Sequence, residues 1–248
     1  MYLEIKWSLK IPDDVSLFYL FLSLIGLALL PFLTFNFQKT SSLFTFQKQF
    51  IGATFIGIYF TGILVGVFPS KCSQILHFRQ QKNSDTVLNI EETSPSLNFN
   101  GHHPICENFT SHVLSLRGKI YCAGCTGLIG GAMFSIFFSF LYYFFDLDVG
   151  GMGALVFWLG FFGVFCGLLQ YHILQRTQIP QIKVLVNAIF VIGSFLLSVG
   201  IYEITGNLLL ELYLVLLSLY WIMTRIYTSQ ISHHRICANC GIKSCNFV

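Results

Sequence analysis

The sequence predicts an all-α, polytopic membrane helix bundle of about six spans, with a small cytoplasmic Cys/His cap that binds metal. Three observations predict it. Of 248 residues, 54% are hydrophobic and only 10% charged, where an ordinary soluble domain carries about 25% charged residues. The apolar residues gather into six runs, each close to the ~20 residues that cross a hydrocarbon core. Between and after those runs, histidines and cysteines cluster in two stretches, 102–125 (HHPICENFTSHVLSLRGKIYCAGC) and 233–245 (HHRICANCGIKSC).

The chain opens on a short polar segment, 1–14. Asp13 and Asp14 close it where a helix N-cap is wanted, and their charge suits the helix dipole. The first apolar run is 15–37. It is too long for the core of a secretory signal and lacks an A-x-A cleavage site, so a retained anchor is expected. Pro31 lies inside it, where a kink is expected. A polar loop, 38–49, leads to the second run, 50–68, which Pro69 closes.

Residues 70–121 form the one long aqueous segment, with a polar linker in its first half. The third run is 126–145, where Gly127, Gly130 and Gly131 mark a close-packing edge. The aromatic group Tyr142, Tyr143, Phe144 and Phe145 reads as an interfacial anchor. The fourth run is 152–174, with Gly160, Gly163 and Gly167 at small-residue spacing. A turn over 175–183 contains Pro180. The fifth run is 184–201, a tight turn spans 202–207, and the sixth run is 208–227. Four segments result: 1–69 with two spans, 70–125 as a loop bearing a Cys/His motif, 126–227 with four spans, and 228–248 as a Cys/His tail.

Six spans return both chain ends to one side. That side receives twelve of the 14 Lys and Arg residues, and the other receives Lys39 and Lys48. Positive residues concentrate on the cytoplasmic side because they resist translocation. The expectation is a multi-pass protein of the cell membrane with both termini, the long loop and the tail in the cytoplasm. The net charge of +3 is small and spread over loops, so no nucleic-acid partner is expected. The lipid bilayer is the expected environment, and the Phe- and Gly-rich faces suit a protein partner or a second copy.

This topology sets the cysteine chemistry. Seven of eight cysteines face the cytoplasm, a reducing compartment where clustered thiols bind metal or do transient redox work. Cys166 sits within the fourth run and reads as a small buried apolar thiol. Asn108-Phe109-Thr110 matches a glycosylation acceptor but lies on the wrong side to be used.

Zinc takes four thiolate or imidazole ligands in tetrahedral geometry. His103-x2-Cys106, followed after fifteen residues by Cys122-x2-Cys125, has that spacing. The tail offers His234, Cys237, Cys240 and Cys245. Two partitions fit. Each cluster holds its own ion, or Cys122, Cys125, Cys237 and Cys240 share one. Four protein ligands leave no open position, so the expected role is structural. Zinc is the expected cofactor, with iron as the alternative.

A redox reading competes. Cys122 and Cys125 stand at the start of a helix with Arg117 and Lys119 nearby, and that setting activates thiols. It would make the protein a membrane thiol–disulfide oxidoreductase. There is no H-E-x-x-H, G-x-S-x-G or Walker-type phosphate loop, and no catalytic residue is assigned. Glu211, Gln170, His172 and Asn187 are polar groups inside runs, the usual marks of a transport path or a proton relay. Glu211 is placed near enough to the outer boundary to reach the interface.

The stretch 102–131 resembles an uncharacterised family of small prokaryotic integral-membrane proteins. Its members carry C-H-x-x-P-x-R-S-F and then C-x-R-C-x-G-x-x-x-G entering a transmembrane helix. His103, Pro104, Phe109, Cys122, Cys125, Gly127 and Gly131 stand in comparable places, while His102 replaces a cysteine and Gly124 an arginine. The resemblance covers about 30 residues and implies a membrane protein with a Cys/His motif. The role expected from the whole sequence is a structural or interaction subunit. A thiol oxidoreductase and a transporter or metal-handling protein are the alternatives.

Overall fold

The computed structural model describes residues 13–39, 46–67, 112–116, 119–173 and 179–240. Among these, six long helices and one short hairpin occur in the order α1 (Asp13–Asn36), α2 (Gln47–Val67), β1 (Val113–Leu116), β2 (Lys119–Cys122), α3 (Ala123–Phe144), α4 (Gly153–Ile173), α5 (Pro180–Thr205) and α6 (Leu208–Cys240). Five helices, all but α2, are long and apolar enough to cross a membrane. The protein is a multi-pass membrane protein.

The helices alternate in direction. On α1, Tyr19 meets Tyr220 and Tyr227 of α6, whereas the later Gly26 carbonyl accepts from Tyr213, so the two run antiparallel. Tyr142 and Tyr143, at the end of α3, reach Glu203 and Ser198, late in α5. Gly127, at the start of α3, abuts Val184, early in α5. These two helices run parallel. α4 runs against α5, since its Gly153 lies by Glu203 and its Gly167 by Phe190. One end of the bundle therefore collects the starts of α1, α3 and α5, the ends of α2, α4 and α6, and the hairpin. The opposite end holds the α3–α4 and α5–α6 turns.

Backbone chemistry fixes the helix ends. Pro180 occupies the first turn of α5, where its missing N–H costs nothing. Gly206 ends that helix at φ 58°, a left-handed conformation open to glycine, and donates its N–H to Tyr202 O. The Asn207 Oδ1 then accepts from Leu209 N–H at 2.9 Å and caps α6. The tight connection narrows to Gly206 and Asn207, and α5 is longer at both ends than the apolar run. Capping chemistry, more than hydropathy, decides where it stops.

Small residues set the closest packing. A methyl at Gly131 would lie 2.7 Å from the Ala188 carbonyl oxygen, and one at Gly200 2.6 Å from Phe157 Cα. Such approach lets apolar helices gain van der Waals contact where lipid supplies no hydrophobic drive. Gly160 and Gly193 meet backbone to backbone between α4 and α5. Gly130 departs from expectation, since nothing lies within 4 Å of its missing Cβ.

Two further expectations are corrected. Tyr142 and Tyr143 are buried in the bundle, at 2% and 0% exposure, and only Phe144 and Phe145 face outward. Their hydroxyls find partners on α5, which makes burial affordable in place of an interfacial site. Cys166 is exposed on α4.

Candidate metal centre

The hairpin places the first cysteine pair. β1 and β2 pair antiparallel, with Val113 opposite Cys122 and Leu116 opposite Lys119. Cys122 is the last residue of β2 and adopts an extended conformation directly before α3. Cys125 lies in the first turn of that helix, and both cysteines are half-buried. The Thr126 hydroxyl donates to the Cys122 carbonyl at 2.8 Å, and buried Ala123 fastens the junction. A strand end followed by a helix start thus holds two thiols three residues apart at one fixed corner.

Basic groups surround this corner. Lys183, in the first turn of α5, is hydrogen-bonded at 2.9 Å to Nδ1 of His112, the residue preceding β1. Lys183 also lies within electrostatic reach of Cys122. Because α3 and α5 are parallel and touch at their starts, two positive helix ends adjoin here. Negative charge on a deprotonated thiol is stabilised in such a place. His112 and Lys183 were not among the sequence candidates. The signal for His112 was the pattern VLSL-RG-KIYC, two alternating runs joined by two residues, whose pairing carries His112 to the level of Cys122.

Below the corner, three polar side chains join α4, α5 and α6. Arg225 donates to Gln170 Oε1 at 2.9 Å and to Asn187 Oδ1. The Asn187 amide donates to the Lys183 carbonyl at 2.6 Å. A methyl at Gly124 would lie 3.9 Å from Asn187 Nδ2, so Arg225, Asn187 and the start of α3 share one level. The polar groups Gln170 and Asn187, read as marks of a transport path, form a helix-tying cluster here. His172 is the penultimate residue of α4.

The second cysteine cluster lies along α6, which continues as helix through Cys240. Hydropathy predicts that this span ends at 227 and is followed by a tail. No Gly or Pro occurs over 228–240, and Gly241 is the first breaker, which is why the helix runs on. His234, Cys237 and Cys240 therefore follow one another at single-turn intervals on a helical backbone. His103, Cys106 and Cys245 lie outside the described residues. Among the described residues, Cys122 and Cys125 come together, and no group of three or more His, Cys, Asp or Glu assembles.

No family model, curated protein or solved structure matches this chain.

Proposed function

We propose a six-span protein of the cell membrane whose cytoplasmic end carries two structural zinc sites and serves as an interaction platform. The span added to the five long apolar helices is α2. Its Gln47 side chain donates to the Gly206 carbonyl at one end of the bundle, its Tyr59 meets Ser194 at mid-depth, and its Gly66 abuts Ile129 near the other end. It thus traverses the same depth as its neighbours. The end that gathers the hairpin, Lys183, Arg225 and the α6 extension is the cytoplasmic one, because the Lys and Arg residues concentrate there.

The observation that carries the two-site reading is the unbroken course of α6. Arg225 stands level with the start of α3, and Cys237 follows twelve residues later on a helix, a rise of about 18 Å. The pair Cys122 and Cys125 spans about one turn. Separate centres are favoured over one shared four-thiolate site: His103, Cys106, Cys122 and Cys125 in one, and His234, Cys237, Cys240 and Cys245 in the other. Zinc at each would supply cross-linking, and with four protein ligands no position is left for substrate.

A thiol–disulfide oxidoreductase is the second reading, favoured by the position of Cys122 at a helix start within reach of Lys183. Alkylation separates the two. In zinc-replete protein the structural reading predicts slow labelling of Cys122 and Cys125, accelerated by chelator. Rapid labelling of Cys122 without chelator would sink it.

A further inference from the structure

At the opposite end from the cysteines, one acidic side chain lies inside the bundle. Glu211 is the fourth residue of α6 and has 0% exposure. The sequence placed it near enough to the boundary to reach the interface. It turns inward to α5 instead, where Ser198 Oγ donates to its Oε2 at 2.8 Å.

Hydrogen counting gives this network a direction. A serine hydroxyl has one proton, and Ser198 gives it to Glu211. Tyr143, 2.5 Å from Ser198 Oγ, must therefore donate to Ser198. The result is a directed chain, Tyr143 to Ser198 to Glu211 Oε2. Beside it, Ser194 donates to the Val191 carbonyl at 2.8 Å, so Tyr59 donates to Ser194 at 3.2 Å. Both hydroxyl pairs are committed, and neither reaches the second carboxyl oxygen. Among the described residues, Glu211 Oε1 is buried with no partner.

An ionised carboxylate in a membrane interior needs a counter-charge. The titratable groups that face Glu211 are Tyr59 from α2, Tyr142 and Tyr143 from α3, and Tyr202 from α5. Among the described residues no Lys, Arg or His acts on it. Of the two basic residues at this end, Lys48 is paired with Asp146 at 2.9 Å, and Lys39 is exposed beyond the end of α1. Arg225 lies fourteen residues along the same helix, about 21 Å away. A metal cation would require several oxygen ligands, and among the described residues no hydroxyl is bonded to Oε1. A proton requires one lone pair.

We propose that Glu211, held at Oε2 by the Tyr143–Ser198 chain, binds a proton at Oε1 within the membrane bundle. The reaction is simple association: water on the side of the α5–α6 turn supplies the proton, the carboxylate becomes a carboxylic acid, and Ser198 keeps its bond to Oε2. The site is separate from the Cys/His end and does not depend on the zinc reading. Its position between α2, α3, α5 and α6 makes proton occupancy a term in the packing of four helices.

Infrared difference spectroscopy on the full chain in detergent micelles, titrated with pH, tests this. A carboxylic-acid C=O band is expected to titrate with one midpoint and to vanish in Glu211→Gln. Ser198→Ala should move it to higher frequency by removing a donor to the carboxyl group, and Tyr143→Phe should move it less. An unchanged carboxyl spectrum in Glu211→Gln overturns the proposal. If that variant does not fold, a band indifferent to Ser198→Ala overturns it equally. Raising sodium chloride against choline chloride at fixed pH should leave the band unaltered. Loss of the band with sodium would assign the site to a metal cation and overturn the proton reading.

Discussion

At the residue scale, the account rests on side chains that are missing as much as on those present. Gly127 meets the Val184 backbone, and Gly131 meets Ala188, so added bulk there must push α3 from α5. Gly131→Val is expected to cost about 1–3 kcal/mol, the usual penalty for overpacking, read as a lower thermal midpoint in detergent. Gly130→Ala is the control. With open space around it, the substitution should be neutral or stabilise by about 0.5–1 kcal/mol through helix propensity. Equal losses at both positions would refute the parallel α3–α5 seam. Arg225→Leu strands the side-chain carbonyls of Gln170 and Asn187, at about 1–3 kcal/mol for each acceptor left buried and unpaired. Adding Asn187→Leu should recover part of that loss, because one stranded acceptor is then removed. Strict additivity of the two substitutions would show that the pair does not interact.

At the element scale, the α6 extension and the hairpin carry the metal reading. Ala238→Pro should break α6 one turn earlier, near His234, and release the C-terminal metal while leaving the N-terminal centre loaded. Zinc content before and after the substitution, with thermal unfolding as a control, checks this. Retention of all metal would show that helical continuity does not matter to that site. These two elements were also the least legible in the sequence. Hydropathy marks the membrane core, so it ended the sixth span at 227 and was blind to a polar helix that continues through Cys240. The hairpin hid inside a polar segment because its strands are four residues each and were outweighed by the loop composition around them. The six apolar helices were legible because each is a long run of one physical character. Their ends were not, since Pro180 and Gly206 act through backbone geometry and carry no hydropathy signal.

At the scale of the whole molecule, the antiparallel pairing of α1 with α6 puts the first and last described residues at the same end of the bundle. Membrane-impermeant labelling of single cysteines introduced near Asn36 and at Ser229 should mark opposite faces, with Ser229 cytoplasmic. Labelling of both from one face would contradict the six-span topology. Spacing alone nominates the Cys/His candidates but not their partition, because that depends on how far a helix carries one cluster from the other. Glu211 was visible as an acid in an apolar run. Its inward direction was not, since that follows from Ser198 and Tyr143 on other helices.

If two zinc centres occupy one end of this bundle, as proposed, elemental analysis of purified protein will count them. Intact protein should hold about two equivalents of zinc, one per four-ligand site, and Cys122→Ser and Cys240→Ser should each lose about one. Loss of all metal in both single variants would mean one shared site, and less than about half an equivalent in intact protein would contradict metal binding altogether.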